Sequence, residues 1–537
     1  MVSNGAYIKE YELELLGRTR IYTDVDEITV DNIFEVLNQA ISIHNFNMYE
    51  ILHLIQYEKG IQPLVRKKTT REEINIEVSD NLANQIVEFK LGYNYGNPIT
   101  YVQRGNKDIS GSPPDSDDNA ISELNEMNDA EAAYAKDQET LRYVEICGIG
   151  YQMVDVKREY DGASVFDLHV PHPMYTFIVY KNDIGETPMM GVTFRQLQNG
   201  DRYYTCYTKD TLFEVKNLGE IVNGQWKGEW SFNSPYVGYA GEKNPLGLIP
   251  IVEFVRAYDR MGVFERQISD MDALNVEVSD FANATAQSCQ EVWWGNDFEF
   301  PKDPNTGKVV KPETGGWLLT RTLANGKTPL IKAITSTFDY ENVQKNIESK
   351  RNSILQKCYV PLQSDPGGGS TGSAMSLSSG WTAAENSAMR EEQVIRRSKQ
   401  KILELELAAV AVRSNWLDGS PLIDLKLSDV YIKFTRQKTY DLGTKTNSMV
   451  AMIKAGVNGR IAMQTVDLFS DVAQAWADSK DTIEAYQESL VVKKEDVNID
   501  EKREIADLSD QTGNSPILDG MNMSNADQSG GDSNDNT

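Results

Sequence analysis

Histidine and cysteine are scarce in this chain of 537 residues, which contains four of each. The cysteines are scattered and form no Cys-x-x-Cys pair: Cys147, Cys206, Cys289 and Cys358. This spacing excludes a disulfide framework and indicates a chain that folds in a reducing compartment. His169 and His172 have a conceivable ligand spacing, but no cysteine or acidic cluster accompanies them. We therefore assign them to packing or to surface polarity and expect no metal site.

Recognisable catalytic motifs are also missing. The chain contains no Gly-x-Ser-x-Gly and no His-Glu-x-x-His sequence. Gly367 and Gly372 are spaced like the glycines of a Walker loop, but Ser373 and Ala374 stand where that loop needs Lys followed by Ser or Thr. The carboxylates are spread along predicted helices and form no obvious acid/base pair. These absences predict no enzyme activity, no catalytic residues and no cofactor.

Long apolar runs are absent as well. No stretch approaches the roughly 18 apolar residues that a membrane span requires. The first residues, MVSNGAYIKEYELELLG, contain no apolar core of the kind found in signal peptides. We expect a protein without a membrane contact that stays inside the cell.

Positive charge is in deficit, with 53 basic against 80 acidic residues and a net charge of −27. Such a surface does not hold nucleic acid electrostatically, because affinity for phosphates comes from Lys and Arg that release counterions. One interpretation is that the charge serves solubility. The other is a surface that lets a polyanion pass without binding it.

The N-terminal half is predicted to begin with helices and to change to strands near residue 148. Helices are expected over 29–57, over 82–91 and in an Ala- and Glu-rich stretch ending near Val144. The Pro-, Gly-, Ser- and Asp-rich stretch 105–120 between them is predicted to be an exposed loop. Period-2 patterns predict strands over 151–156, 166–170, 175–180, 189–197, 202–208 and 249–254.

Between Ala257 and Trp416 the pattern is helix, compact insert, helix, glycine-serine loop and long helix. The helices before and after the insert cover about 262–291 and 338–358. The loop, SDPGGGSTGSAMSLSSG, is followed by more than thirty residues without Gly or Pro. This order predicts a two-helix stalk with a tip, followed by a loop attached to a long helix.

Three further signals concern the C-terminal part. Thr382 and Glu385 have the spacing of a capping box, which predicts a helix start at Thr382. The pair Asn458-Gly459 is expected to separate helices over 446–455 and 463–489. Beyond Asn498 the chain is polar and acidic with few apolar residues, so disorder is predicted there.

Three segments carry a resemblance to a known family. Residues 57–66, YEKGIQPLVR, are similar to a "YYxGxQPIxxR" stretch, and residues 84–101 resemble a helix ending in "GYxxGxPxxY". Residues 246–254, LGLIPIVEF, together with Phe264-Glu265 and 279–283, resemble the start of a stem. In this order the segments resemble the portal proteins of tailed bacteriophages related to the Bacillus phage SPP1 portal. One departure is Val255-Arg256-Ala257, where the family tends to have asparagines.

The resemblance implies an α+β portal-protein fold with an α/β wing, a two-helix stem, a small α/β clip and an α-helical crown. By this correspondence the wing is 1–258, with its β-rich part from about 148, and the stem helices are 259–288 and 338–358. The clip is 289–337, the tunnel loop and long wing helix are 359–440, the crown is 441–496, and the disordered acidic tail is 497–537.

The resemblance also implies a homo-oligomeric ring, usually a dodecamer, at one vertex of the capsid. Double-stranded DNA passes through its channel during packaging and ejection. The implied partners are a terminase large subunit, a head-completion or adaptor protein, the major capsid protein and a scaffold protein. The expected location is the virion, with assembly in the host cytoplasm.

The candidate functional residues fall into three groups. The glycine loop is either a flexible linker or a hinge facing the DNA: Asp365, Gly367, Gly368, Gly369, Ser370, Gly372 and Ser373. The polar face of the first stem helix is either solvated or lines the channel: Asp270, Asp272, Glu277 and Asp280. The insert offers aromatic and basic candidates for partner contact, although its tryptophans are also candidates for local packing: Trp293, Trp294, Lys308, Lys311 and Trp317.

Two other function classes were weighed. An intracellular hydrolase lacks any supporting constellation of residues. Another phage virion ring, such as a neck or baseplate protein, is disfavoured by the stalk with a tip and by the three family-like segments.

Overall fold

The computed structural model describes most of the chain up to residue 466 and a few positions beyond it. The described residues are 17–64, 75–103, 117–160, 162–222, 225–234, 239, 241–288, 292–296, 302–308, 330–334, 339–362, 380–436, 442–466, 475–476, 479–483 and 485. The chain divides into two compact units, Met1–Lys438 and Thr439–Thr537. Helices and strands of the first unit lie in largely separate runs, so the predicted α+β class is confirmed.

The first layer of this unit is a helix packed on a seven-stranded sheet. The helix is α1 (Ile33–Glu58). The strands are β1 (Ile21–Thr23), β5 (Thr176–Lys181), β6 (Pro188–Gln196), β7 (Arg202–Tyr207), β8 (Thr211–Val222), β9 (Gln225–Phe232) and β10 (Glu242–Lys243). They run in the order β1-β5-β6-β7-β8-β10, and β9 also pairs with β8. Only the β1–β5 pair is parallel. Ile33, Val36 and Leu37 of α1 share one apolar core with Phe177, Val192 and Phe213 of the sheet.

The second layer surrounds a three-stranded antiparallel sheet. Its strands are β3 (Ile149–Val156), β4 (Phe166–His169) and β11 (Ile251–Val255), in the order β11-β3-β4. The helices around it are α2 (Leu82–Tyr95), α3 (Asp117–Ala130), α4 (Ala133–Cys147) and α7 (Trp381–Val412). β3 is buried at seven of its eight positions, because α4 and α7 both pack against it. A short antiparallel pair, β2 (Thr100–Gln103) with β14 (Val430–Lys433), also contacts this layer.

Two helices and a small strand pair leave this body between residues 265 and 358. A single 3-10 turn, Glu265–Gln267, leads into α5 (Ile268–Ser288), and α6 (Tyr340–Lys357) returns. Between them β12 (Val292–Asn296) pairs antiparallel with β13 (Leu330–Ile334). In the second unit the described helices are α8 (Leu442–Lys454) and α9 (Gly459–Val466). None of the described helices is long and apolar enough to cross a bilayer.

Most predicted elements are confirmed within a few residues, but three details were wrong. The Ala- and Glu-rich stretch forms two helices, separated at Ala132, whose φ of 52° cannot continue a helix. The helix α3 begins at Asp117, inside the predicted loop. The β8–β9 pair was missed, because Gly219 and Gly228 interrupt its apolar alternation and face each other across the two strands.

Helix starts were also misplaced. α7 begins at Trp381 behind Gly380, without a side-chain cap, and Glu385 instead accepts hydrogen bonds from Tyr93 and Arg436. The reason is tertiary: Trp381 packs on Phe89 and Tyr93, which fixes the first turn. The break at Asn458-Gly459 is confirmed, but the second helix starts at Gly459, where the Asn458 side chain accepts from the Arg460 amide at 2.9 Å.

Candidate functional site: a helix pair and its junction with the body

The helices α5 and α6, here called the helix pair, run antiparallel and are joined by charges. The Asp270 carboxylate lies 2.6 Å from the Lys357 ammonium, and Glu277 pairs with Lys350 further along. At the far end the rings of Phe281 and Tyr340 meet edge to face, with centroids 6.1 Å apart. These contacts fix the relative register of the two helices, each ion pair adding little because both partners are partly exposed.

The predicted polar face of α5 therefore divides into different roles. Asp270 and Glu277 bind the return helix, whereas Asp272 accepts a hydrogen bond from the Tyr57 hydroxyl at 2.8 Å. Burial raises the pKa of Asp272. Asp280 is exposed. Asp270, Asp272 and Glu277 thus have partners inside the subunit.

A ladder of small polar side chains on the other side of α5 holds the chain segment 75–80. Asn283 accepts from the Ile76 amide and donates to the Ile76 carbonyl, both at 2.8 Å. Ser279 makes the same two bonds to Val78, and Asn275 accepts from the Asp80 amide at 2.9 Å. Four residues of helix rise about 6 Å, close to the span of two residues of extended chain. Side chains four positions apart on α5 therefore reach every second residue of the segment 75–80.

This ladder is a functional feature that sequence reasoning missed. The three residues are buried, so the backbone groups that they satisfy would otherwise be left unpaired. Their spacing, Asn275, Ser279 and Asn283, was the available signal: three small polar residues on one side of an amphipathic helix. Since the segment 75–80 also reaches α6 through Asp80 and Arg351 at 3.0 Å, it ties both helices of the pair to the body.

The helix pair begins at a buried junction, defined here as residues 256–265 together with Gly17, Arg18 and the end of α4. The Arg18 amide donates to the Arg260 carbonyl at 3.3 Å, and the Arg260 side chain donates back to the Arg18 carbonyl. Arg260 also pairs with Glu253 at 2.6 Å. Glu265 accepts from the Arg18 guanidinium and, at 2.7 Å, from the Gly262 amide.

Arg18 and Arg260 of the junction are buried and hydrogen-bonded on several sides. Arg18 donates to the Cys147 carbonyl at 3.1 Å and pairs with Glu50 at 2.9 Å, in addition to Glu265. The Glu253 carboxylate and then the hydroxyls of Tyr151 and Tyr180 raise the pKa of Arg260 in spite of its burial. Single arginines in a sequence carry no local pattern, and this is why sequence reasoning assigned them no role.

Glycines let the backbones of the junction approach closely. A Cβ on Gly17 would lie 2.0 Å from the Asp259 carbonyl oxygen, and one on Gly262 would lie 2.1 Å from the Ile146 carbonyl oxygen. Gly148 has a φ of +77°, and its Cβ would lie 2.3 Å from the Arg260 carbonyl oxygen. Three separate chain segments are thus packed backbone to backbone at the point where the helix pair leaves the body.

The insert between the helices is described only in part. Trp293 and Trp294 lie in β12, paired with Ala333 and Lys332 of β13. Lys308 is exposed and closes a tight turn, in which the Asp303 amide donates to its carbonyl at 3.0 Å. Lys311 and Trp317 lie outside the described residues. Trp293 and Trp294 thus lie on a strand pair, and Lys308 lies on a turn.

The candidate loop residues 365–373 also lie outside the described residues, but both ends of the loop are described. A Cβ on Gly380 would lie 3.8 Å from Pro361 Cα, so the two ends are close neighbours. Tyr359, at a φ of 59°, lies between two cations: Lys90 Nζ at 5.7 Å and the Arg390 guanidinium at 5.8 Å from its ring centroid. These contacts hold the chain on both sides of the loop against α2 and α7.

Beneath the loop ends lies a buried cluster of charges around Glu391 of α7. Its carboxylate accepts from Asn94 at 2.7 Å and Arg256 at 3.1 Å, and Lys90 lies 3.5 Å away. Glu145 lies in the same cluster, where burial and then the charge of Glu391 raise its pKa to about 8. Ser387 also lies in the cluster, where its hydroxyl accepts from Lys90 at 3.0 Å and donates to Glu391 at 3.4 Å. The cluster connects α2, α4, the residue after β11 and α7.

A second buried acid, Glu406, gives a testable pH dependence. Its carboxylate accepts from Tyr101 and Asn128, both at 3.4 Å, and burial raises its pKa from 4.5 to about 7. Between these two pH values the folded state keeps the proton of Glu406 while the unfolded state loses it. The contribution of Glu406 to the free energy of unfolding is therefore complete below about pH 4.5 and is lost as pH rises through 7. We expect Glu406→Gln to raise Tm relative to wild type by a few degrees at pH 8 but not at pH 4.5, measured by differential scanning calorimetry.

The exposed Glu139→Gln on α4 is the matched control for this measurement, and its Tm difference from wild type should not change with pH. An equal Tm difference for Glu406→Gln at both pH values would show that folding does not raise the pKa of Glu406.

The remaining candidate chemistry has structural explanations. The His172 ring nitrogen Nδ1 accepts from the Met174 amide at 3.1 Å, and its ring packs on Tyr143. The described part of the chain contains no cluster of three potential metal ligands. Three cysteines are free and buried, and burial raises the pKa of Cys147 and Cys358 to about 12. Such thiols are unreactive.

Comparison with known proteins gives one match. A profile of a protein family described as "Phage portal protein, SPP1 Gp6-like" matches residues 40–489. It spans α1, the body, the helix pair with its insert, α7 and both described helices of the second unit. A search among curated individual proteins gave no match.

Proposed function

The chain belongs to the SPP1 Gp6-like family of phage portal proteins, and from this premise we propose which of its parts does what. Portal proteins of this family serve bacteriophage DNA packaging. We infer that α5 and α6 form the stem, that 289–337 forms the clip, and that residues 1–258 with α7 form the wing. The crown is assigned to 441–496 and the tunnel loop to the segment that ends at Gly380.

The helix pair is the observation that carries this assignment. Two antiparallel helices, held in register by Asp270–Lys357 and Glu277–Lys350, leave the body together and are connected through a separate strand pair. An intramolecular pair of this kind resists sliding and splaying, since the segment 75–80 holds both helices through Asn275 and Arg351. A portal ring needs such rods around its channel.

The assembled state that we propose is a closed ring of identical subunits at the capsid vertex. The ring is a dodecamer in this proposal, as is usual in the family. Double-stranded DNA passes through it. The loop next to the DNA in this proposal consists of Asp365, Gly367, Gly368, Gly369, Ser370, Gly372 and Ser373. Its ends are held by α2 and α7, while three consecutive glycines give its middle conformational freedom.

Partner docking is assigned to the two ends of the subunit. A terminase large subunit, and after packaging a head-completion or adaptor protein, would bind the clip near Trp293, Trp294, Lys308, Lys311 and Trp317. The major capsid protein and the scaffold protein would contact the wing in the host cytoplasm during assembly and in the virion. The family is structural, so we propose no catalysis and no cofactor for this chain.

Electron microscopy of the purified full-length protein tests the proposal. We expect closed rings with a central hole, because interfaces that join two different faces close into rings when the rotation permits. We also expect no ATP hydrolysis above the level of a mock purification, since the Walker lysine is missing. A monomer at micromolar concentration, or turnover that follows the protein through every column, would contradict the proposal.

A further inference from the structure

The solvent side of α7 carries a row of positive charges, here called the basic line: Arg390, Arg397 and Lys401, all exposed. The exposed positions between them are uncharged, namely Gln393 and Gln400, and the first exposed carboxylate is Glu404 beyond Lys401. The positive charge of the basic line contrasts with the net charge of −27 of the whole chain.

The charges of the basic line are not balanced within the subunit. Arg397 and Lys401 are four positions apart on a helix, a spacing at which like charges repel. Neither forms an ion pair with another described residue, whereas their neighbours Arg396 and Lys399 pair with Glu392 and Asp137. Desolvation and then the charge of Arg397 lower the pKa of Lys401, against the opposing attraction of Glu253 and Glu404. The isolated subunit therefore carries a repulsive pair that an external anion would relieve.

The opposite charge is concentrated on α3. This helix contains five acidic residues and neither Lys nor Arg: Asp117, Asp118, Glu123, Glu126 and Asp129. Glu126 and Asp129 are exposed, and they are called here the acidic face. Among the described residues neither has a cationic partner.

The two charged surfaces point away from each other within one subunit. α3 packs against α7 through Asn128, whose side chain donates to Glu406 at 3.4 Å. Since a helix turns about 100° per residue, Arg397 lies about 180° around α7 from Glu406. On α3, Glu126 lies about 160° and Asp129 about 100° from Asn128. The acidic face and the basic line are thus on outer sides of the α3–α7 layer and cannot satisfy each other.

We propose that the basic line of one subunit binds the acidic face of a second copy of this chain. This inference rests on the proposed ring, in which each subunit meets its neighbour through two different surfaces. Arg397 and Lys401 are about 6 Å apart along their helix, and Glu126 and Asp129 about 4.5 Å apart along theirs. Two cations and two carboxylates of similar spacing can therefore pair across the interface.

A second copy is a better occupant than DNA. The acidic face needs a basic partner, which DNA cannot supply, whereas a neighbouring subunit satisfies both surfaces at once. Complementary charges of this kind set the register and the partner of an interface. They would explain why the unbalanced pair on α7 is tolerated.

The test is charge reversal and charge exchange in the full-length protein. Arg397→Glu with Lys401→Glu should raise the protein concentration at half-assembly by on the order of tenfold, measured by mass photometry in low salt, because like charges would then face each other. Adding Glu126→Lys and Asp129→Lys to the same chain should restore assembly, since the exchanged charges are complementary again. Circular dichroism confirms that each variant is folded.

Lys209→Glu with Lys243→Glu is the matched control, because these exposed lysines lie elsewhere and give the same change of net charge. It should assemble like wild type. Normal rings from the Arg397/Lys401 variant, with or without weaker DNA binding, would overturn the inference, as would a folded fourfold variant that does not recover. A wild-type protein that forms no ring would instead contradict the proposed function itself.

Discussion

Replacing Gly262 by alanine is expected to destabilise the protein by several kcal/mol. The added Cβ would lie 2.1 Å from the Ile146 carbonyl oxygen and 3.2 Å from that of Glu145. Neither oxygen belongs to a side chain that can rotate away, so the backbone at the end of α4 or in the junction must move. Overpacking of this kind costs about 1–3 kcal/mol in ordinary cores, and more where backbone must shift.

The backbone movement caused by Gly262→Ala also disturbs a hydrogen bond at the same position. The Gly262 amide donates to Glu265, and Glu265 binds Arg18. Moving residue 262 therefore also strains the charge network that attaches the helix pair to the body. Urea unfolding followed by tryptophan fluorescence would show the effect as a lower midpoint.

Gly92→Ala is the control, because its Cβ would meet nothing within 4 Å on an exposed position of α2. Alanine is preferred to glycine in a helix interior by about 1 kcal/mol, so this variant should unfold at a slightly higher urea concentration than wild type. Equal midpoints for Gly262→Ala and wild type would mean that the junction adapts to an extra methyl group.

Replacing Arg18 is the second change with a large expected effect. The Arg18 side chain has a relative exposure of 0%, as does its partner Glu265. Arg18→Met keeps much of the volume but leaves the Glu265 carboxylate buried without its counter-charge. Loss of one partner of a buried ion pair costs about 3–5 kcal/mol, which equilibrium unfolding in urea would measure.

A double-mutant cycle separates this charge effect from lost packing. Glu265→Gln should destabilise the wild-type protein, because it weakens the bond to Arg18. In the Arg18→Met background the same change should stabilise, because a neutral amide can still accept from Gly262 without the cost of a buried charge. The same sign of effect in both backgrounds would show that the two side chains are not coupled.

Much of the architecture follows from local patterns in the sequence. Helical periodicity located α1, α5 and α6 within a few residues, because an amphipathic stripe depends only on which neighbours along the chain share a face. Period-2 alternation did the same for β3, β5, β6 and β7. The three family-like segments at 57–66, 84–101 and 246–283 indicated the family to which the chain belongs.

Features without a local pattern were not predicted. The β8–β9 pair depends on cross-strand partners, Gly219 with Gly228 among them, and the start of α7 depends on aromatic packing of Trp381 rather than on the spacing of Thr382 and Glu385. The interpretation of the α5 carboxylates as one polar face was too simple. Asp270 and Glu277 find lysines 87 and 73 positions away along the chain.

The sequence by itself determined the α+β class, the helix pair and the family, because these depend on periodicity, composition and the order of motifs. Only the tertiary structure decided which contacts attach the helix pair to the body. Arg18, Gly148 and Arg260 come together from three distant segments, and the ladder of Asn275, Ser279 and Asn283 acquires its role only when residues 75–80 lie beside it. The physical reason is that backbone contact distance and buried charge pairing are properties of chain segments brought together by folding, and neighbours in the sequence do not encode them.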